Sequence, residues 1–252
     1  MSESDGREAE PSFTEDRLLG GRIRIRQPAS GYRAAIDPVF LAAAIPAEPH
    51  QLVLDVGCGA GAAMLCLAAR VPHSRLVGLE LQRDLVRLAG DNVISNGLEA
   101  RASVMIGDLL QPPPRLSPGA FDHVMANPPF HPRGQTGPAT AKAAATIEGE
   151  ADLALWIRFS LAMVRAKGTV TFIHRADRID ALLGQIAGRA GEVVVYPLWA
   201  GEGKAASRIL VRMRKQVAAP ARLAPGLVLH GPDGQFTPEA EAILRGAAGL
   251  EL

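Results

Sequence analysis

Ala126-Asn127-Pro128-Pro129-Phe130 follows an apolar run, Phe121 to Met125, and brings together an amide, two rigid rings and an aromatic face. Two successive prolines remove two backbone donors and fix φ, so a strand ending here leaves its sheet stiffly and without further ladder bonds. Asn127 then offers two donors and an acceptor at the carboxyl edge, where open α/β sheets bind ligands. Phe130 is a ring on a rigid turn, able to stack on something flat. An ordinary strand-terminating turn would use the same residues, so the motif must be weighed with its neighbours.

Three other features stand at comparable places. Asp55-Val56-Gly57-Cys58-Gly59-Ala60-Gly61 joins an apolar run to an Ala/Leu-rich segment. Its glycines let the backbone turn tightly and approach a ligand at a helix N-terminus. The spacing is Gly-x-Gly-x-Gly, whereas the dinucleotide fingerprint is Gly-x-Gly-x-x-Gly. Asp55 suits a ligand with a cationic group and fits a pyrophosphate poorly. Glu80 ends the next apolar run, where a carboxylate can accept from both hydroxyls of a ribose. Asp108 ends the third and can accept from an adenine amino group. A helix cap would explain Glu80 alone and a loop turn Asp108 alone. Four such features on four successive strands describe a nucleoside lying across a sheet edge.

The elements that must position them follow a β-α-β rhythm. Leu52 to Val56 reads as a strand buried on both faces. A helix to about Val71, a strand over Arg75 to Leu79, a helix over Arg83 to Ser95 and a strand over Ala102 to Ile106 come next. A proline-rich loop, Gln111 to Pro118, leads to the strand Phe121 to Met125; His131 to Gly149 reads as loop. Leu153 to Ala166 predicts a helix, Gly168 to His174 a strand, Asp177 to Arg189 a helix, and Glu192 to Leu198 and Arg208 to Met213 a final pair of strands. The expected fold is α/β: a doubly wound, seven-stranded, mostly parallel sheet with a final antiparallel strand. Residues 1–16 read as a tail and 17–252 as one domain, with a strand-and-helix addition over 17–50, a core over 51–215 and a C-terminal addition over 216–252. In the first addition Arg22-Ile23-Arg24-Ile25-Arg26 alternates as a half-exposed strand. Asp37-Pro38 starts a helix, with Asp as N-cap. At the far end Thr237-Pro238-Glu239 starts another.

Composition sets the bounds. Of 252 residues, 48% are hydrophobic and 21% charged, which describes a folded globular chain. A net charge of +1 argues against wholesale polyanion binding but leaves room for a local basic face. The two cysteines, Cys58 and Cys66, read as buried free thiols, and no metal-type Cys/His pairing is evident. No signal peptide or membrane-length apolar run is seen, which points to the cytoplasm.

With those residues in hand, the chain resembles the class I, Rossmann-like, S-adenosylmethionine-dependent methyltransferases that modify exocyclic amino groups. The resemblance is carried by Asp55 to Gly61, Glu80, Asp108 and Asn127-Pro128-Pro129-Phe130. It is most similar to the tRNA adenine methyltransferase family acting on the 6-amino group beside the valine tRNA anticodon, and extends to Gly31-Tyr32-Arg33 with Asp37 and to Leu227 through Thr237. That family commonly has Tyr where Phe130 stands; Asn-Pro-Pro-Phe-His also resembles ribosomal RNA guanine 2-amino methyltransferases. The resemblance implies S-adenosyl-L-methionine as cofactor and RNA, a tRNA, as partner, with no metal and no membrane. It implies that Gly57, Gly59, Ala60 and Gly61 pass close to the methionine part, that Asp55 helps hold its ammonium, that Glu80 with Leu81 receives the ribose, and that Asp108 receives the adenine. Asn127 would serve both cofactor and target; Asn127 and Pro128 would accept the target N–H groups, Pro129 would stiffen the turn, and Phe130 would stack on the base. Arg33, His131 and Arg133 become candidate substrate contacts.

Other residues have two readings. Arg22, Arg24 and Arg26 suit RNA phosphates or protect a strand edge. Arg133 and Lys142 suit phosphates, and His131 either a general base or an exposed loop residue. Trp156 and Trp199 read as packing residues. Rival functions are methylation of a ribosomal RNA guanine, methylation of a protein glutamine amide, a nucleotide-dependent dehydrogenase, and a binding module without turnover. The glycine spacing and Asn127 to Phe130 argue against the last two.

Overall fold

The alternating stretch and the continuous apolar runs form two kinds of sheet. The computed structural model describes residues 13–29, 35–129, 131–132, 147–148 and 150–252. β1 (Phe13–Leu18) and β2 (Ile23–Pro28) pair antiparallel as a hairpin, with Phe13 opposite Pro28 and Leu18 opposite Ile23. Ile23 and Ile25 are buried while Arg22, Arg24 and Arg26 are exposed. Phe13 to Asp16, read from the sequence as part of a tail, pair along β2. Pairing gives this polar stretch a use that its composition did not reveal: the Phe13 ring lies 5.1 Å from the Arg26 guanidinium.

α1 (Asp37–Ala44) carries Pro38 in its first turn, but Ile36 occupies the N-cap. The Asp37 carboxylate instead accepts from Arg208 Nε at 2.8 Å. The core then runs β3 (Leu52–Val56), α2 (Ala62–Arg70), β4 (Arg75–Glu80), α3 (Arg83–Ser95), β5 (Ala102–Ile106) and β6 (Phe121–Ala126). Two short strands, β7 (His131–Pro132) and β8 (Ile147–Glu148), pair parallel within the expected loop. α4 (Glu150–Met163), β9 (Val164–Arg175), α5 (Ile179–Ile186), β10 (Ala190–Trp199) and β11 (Ala206–Lys215) complete the core. β12 (Arg222–Leu223), β13 (Leu227–Val228) and α6 (Pro238–Leu244) follow.

The main sheet has the order β5-β4-β3-β6-β9-β11-β10, with β12 and β13 parallel on the outer side of β10. β11 alone runs antiparallel to its neighbours. The expected seven strands are therefore present, and two-residue strands bring this sheet to nine. β4 and β5 extend to one side of β3 and β6 to the other, so the topological switch point of the sheet lies at β3 and β6.

One core fills the face under α1 and α2, with Phe40, Leu41, Met64 and Leu65. The other fills the face under α4 and α5, with Leu153, Ile157, Phe172 and Leu182. Two expected helices end early. Val164 to Ala166 belong to β9, where the pairing with β6 shifts register between Phe121 and His123. Gly168 fits there because a Cβ would lie 2.6 Å from Asp122 O. The stretch Asp177 to Arg189 divides into a 3-10 turn and the shorter α5. α6 starts where expected, and Thr237 caps it, accepting from Ala240 N–H at 3.2 Å.

Candidate active site

Strand register brings the four features to one edge. Val56 lies opposite Leu79 on β4 and Ala126 on β6, and Glu80 lies opposite Ile106 on β5. Gly57, Glu80, Gly107 and Asn127 therefore stand side by side where the strands end, at the switch point where such sheets take ligands.

The loop after β3 is shaped by its glycines. Gly57, Gly59 and Gly61 have φ of 65°, 56° and 90°, the left-handed region that favours glycine. Gly57 and Cys58 N–H both donate to Leu79 O, at 2.7 and 3.1 Å, and Gly61 N-caps α2. A Cβ on Gly57 would lie 2.3 Å from Trp156 Cη2, so the α4 tryptophan covers this residue. Around Gly59 nothing lies within 4 Å of the same position, which leaves that side of the loop open for a ligand to approach the backbone.

Glu80 is buried, with 7% exposed. Its Oε2 accepts from Gly59 N–H and its Oε1 from Gln82 N–H, each at 2.9 Å. An ionised carboxylate has about four acceptor positions, so ribose hydroxyls can be added to these two bonds. The same side chain that would receive a nucleoside thus also sets the glycine loop. Asp108 follows Gly107 and accepts from Leu110 N–H at 2.9 Å, which fixes the turn after β5. Leu81, Ile106 and Leu110 are exposed beside the two acids and supply an apolar rim for a flat ring.

Asp55 is buried and accepts from Met64 N–H in the first turn of α2 at 3.2 Å. Burial pushes its carboxyl up to about 8; the Met64 amide pulls it down, and the charge of Glu80 adds to the rise. A cationic group bound nearby would favour the charged form. Cys58 and Cys66 are free and buried, and burial raises both thiols, Cys66 to about 12. They pack and do not react.

Asn127 follows Ala126 with its Oδ1 buried, and Pro128 is buried behind it. Phe130, Arg33, Arg133 and Lys142 lie outside the described residues, as do Gly31 and Tyr32; for His131 only the backbone, in β7, is described. Arg22, Arg24 and Arg26, at and in β2, are engaged with the protein. Arg22 donates to Gly246 O at 2.6 Å, Arg24 to Ser95 O at 3.4 Å, and Arg26 lies over Phe13. Trp199 Nε1 donates to Pro225 O at 3.0 Å.

Two residues, one on α3 and one at its C-cap, escaped the sequence reading. Asn92 and Asn96 hold the backbone of β2, and Asn92 also reaches Ala60 O in the glycine loop. Asparagine on a helix ordinarily faces water. Their i, i+4 spacing on the face that also buries Val93 was the available signal. The donor set fits a nucleoside with a cationic tail: two carboxylates, an open glycine backbone and an apolar rim. Among the described residues no group of three His, Cys, Asp or Glu could hold a metal ion, and no helix is long and apolar enough to cross a membrane.

The family model described as methyltransferase small domain matches residues 34–167, more than half of the chain. A tRNA1(Val) (adenine(37)-N6)-methyltransferase of Porphyromonas gingivalis is 27% identical over 86% of this chain and 89% of its own length. A release factor glutamine methyltransferase of Geobacter sulfurreducens is 35% identical over 37% of this chain and 32% of its own. Among solved structures, a protein described as a predicted O-methyltransferase from Agrobacterium tumefaciens superposes with a TM-score of 0.72. It is 23% identical, and the match covers 86% of this chain and 99% of that one.

Proposed function

The chain belongs to the methyltransferase small domain family, and on that premise we propose that it methylates the 6-amino group of an adenine in RNA, a tRNA near its anticodon, with S-adenosyl-L-methionine as donor. The observation that carries the reading is the register that sets the Gly57–Gly61 loop, Glu80, Asp108 and Asn127 along one sheet edge. The Porphyromonas relative, matched over most of both chains, supports RNA as substrate and adenine as target.

Bound S-adenosyl-L-methionine supplies an electrophilic methyl carbon on a sulfonium. Glu80 would accept from its ribose hydroxyls, Asp108 from its adenine amino group, and the open side of Gly59 would leave room for its methionine part. Asp55 would bias the loop towards a cationic tail. The chain's further task is to make a poor nucleophile reactive. An exocyclic amine delocalises its lone pair into the ring; Asn127 Oδ1 and the Pro128 carbonyl accept one N–H each and favour a pyramidal nitrogen with its lone pair free. The amine proton becomes acidic as the new bond forms, so positioning and preorganised acceptors do the catalytic work without a strong base. Phe130 would stack on a base drawn out of its own stack.

A second reading has one observation behind it: the partial match to the release factor enzyme over 95 residues. A glutamine amide poses the same problem of a planar nitrogen. Mass spectrometry of tRNA and ribosomal RNA nucleosides and of release-factor peptides from a deletion strain separates the readings. Loss of 6-methyladenosine is expected. Unchanged tRNA with loss of methylglutamine from release factors would replace this reading with the second, and loss confined to 2-methylguanosine in ribosomal RNA would move the target to guanine.

A further inference from the structure

Asn92 makes more backbone contacts than a helix-surface amide needs. Its Oδ1 accepts from Arg26 N–H at 2.8 Å, while its Nδ2 donates to Arg26 O and to Ala60 O, each at 2.9 Å. One turn later, Asn96 repeats the first two contacts on Arg24: Oδ1 accepts from the N–H at 3.0 Å and Nδ2 donates to the O at 2.7 Å. Residues four apart on a helix are about 6 Å apart along the axis, and residues two apart on a strand about 6.6 Å. The two asparagines therefore act as a stub of strand laid against β2, and α3 carries the hairpin without being part of a sheet.

The two residues differ at one point. Asn96, the C-cap of α3, spends its other donations on Asn92 O at 2.7 Å and Ser95 Oγ at 3.5 Å, both in the last turn of the helix. Asn92 spends its own on Ala60, inside the glycine loop. That loop is also held by Glu80 on the Gly59 amide, by Leu79 O on the Gly57 and Cys58 amides, and by its own Gly61 N–H on Cys58 O. Asn92 is fully buried and Ala60 half-buried, so breaking this bond leaves the buried amide of Asn92 without water to replace its partner. Asn92 joins the cofactor loop to β2, which in turn leads to the Gly31-Tyr32-Arg33 segment.

We propose that Asn92 is a positioning residue for the cofactor: it fixes the Ala60 carbonyl, and with it the open Gly59 backbone, against a hairpin that lies outside the catalytic sheet. The inference rests on the assignment of the Gly57–Gly61 loop to S-adenosyl-L-methionine. Asn96 has the same kind of hairpin contact and no loop contact, so it separates positioning from simple docking of the hairpin.

The test is titration calorimetry of the full chain with S-adenosyl-L-homocysteine, without RNA, alongside melting temperatures. Asn92→Ala should weaken binding roughly tenfold, the scale of one buried hydrogen bond lost, and Asn96→Ala by less than twofold, while both lower the melting temperature. Asn92→Asp preserves size and the acceptor for Arg26 N–H but removes both donations, and should weaken binding at least as much as Asn92→Ala. In turnover, KM for S-adenosyl-L-methionine should rise with that loss while kcat at saturation stays within about twofold. Equal weakening by the Asn92 and Asn96 variants would reduce Asn92 to hairpin docking and overturn the proposal. So would full affinity in folded Asn92→Asp. If the unaltered protein fails to bind, the cofactor assignment itself falls, a result distinct from the two before it.

Discussion

At the scale of single residues the site separates groups that shape the pocket from groups that meet the target. Glu80 belongs with the first, holding the Gly59 amide while keeping acceptor capacity for a cofactor ribose. Asp55 is committed to Met64 in α2 and acts on the loop from a buried position. Asn127, at the end of β6, is the proposed contact to the target amine. Asn127→Ala should lower kcat by at least about a hundredfold, the scale seen when one preorganised acceptor or donor is lost from a reacting centre. Affinity for S-adenosyl-L-homocysteine, read by calorimetry, should stay within a few-fold of the unaltered protein. A parallel loss of cofactor affinity would mean that Asn127 builds the pocket and does not serve the reaction.

At the scale of elements, the glycine loop has a closed side and an open side. Gly57→Ala adds a methyl group 2.3 Å from Trp156 Cη2 and also forces φ of 65° on a non-glycine residue. Gly59→Ala meets nothing within 4 Å and bears only the backbone strain, about 1 kcal/mol. Gly57→Ala should therefore be the more destabilising by about 1–3 kcal/mol in denaturant unfolding. Gly59→Ala should mainly reduce cofactor affinity, because its methyl group enters the ligand's approach.

The opposite edge of the sheet carries a different polar network. His123 on β6 is within 2.8 Å of both Thr169 Oγ1 on β9 and Gln51 Oε1 before β3. Burial is the main cause that lowers its pKa to about 4, and nearby Asp122 opposes the fall. The unfolded value is about 6.5, so the folded chain binds this proton more weakly. Its contribution is complete above pH 6.5 and is lost as the pH falls from there towards 4, by about 3 kcal/mol in all. Denaturant unfolding at pH 7, 6 and 5 should show that decline, and His123→Gln should remove much of it.

At the scale of the whole molecule, the chain beyond the catalytic sheet returns to brace its face. α6 buries Ala240 and Ile243, Leu250 N–H bonds Ala43 O at 2.8 Å, and Arg212 reaches the Leu252 carbonyl. Removing residues 238–252 should cost about 3–5 kcal/mol in lost apolar burial, visible as a lower denaturant midpoint. S-adenosyl-L-homocysteine binding should persist below the transition, because Gly57–Gly61, Glu80 and Asp108 lie on β3 to β5. Abolished binding in a folded truncate would give α6 a part in the pocket.

The sequence by itself determined the local pieces. Apolar runs buried on both faces specify strands wherever they occur, and glycines at 57, 59 and 61 specify a left-handed turn before α2. The boundaries of α3 and β5 and the capping by Thr237 follow from nearby residues alone. Glu80, Asp108 and Asn127 could be picked out because each follows an apolar run, and Asp55 because it stands just before the glycines. Where competition between distant segments decides, the local signal ran out. Val164 joins β9 because pairing with β6 outweighs its place at the end of a helical pattern. Phe13 to Asp16 form a strand because β2 offers a partner. Asp37 gives up the cap for Arg208, which is 171 residues away. Tertiary structure alone set Trp156 over Gly57 and tied Asn92 to both Arg26 and Ala60. A hydrogen bond or a van der Waals contact between remote residues has no periodicity to read; it exists only once the sheet has fixed which strand ends stand side by side.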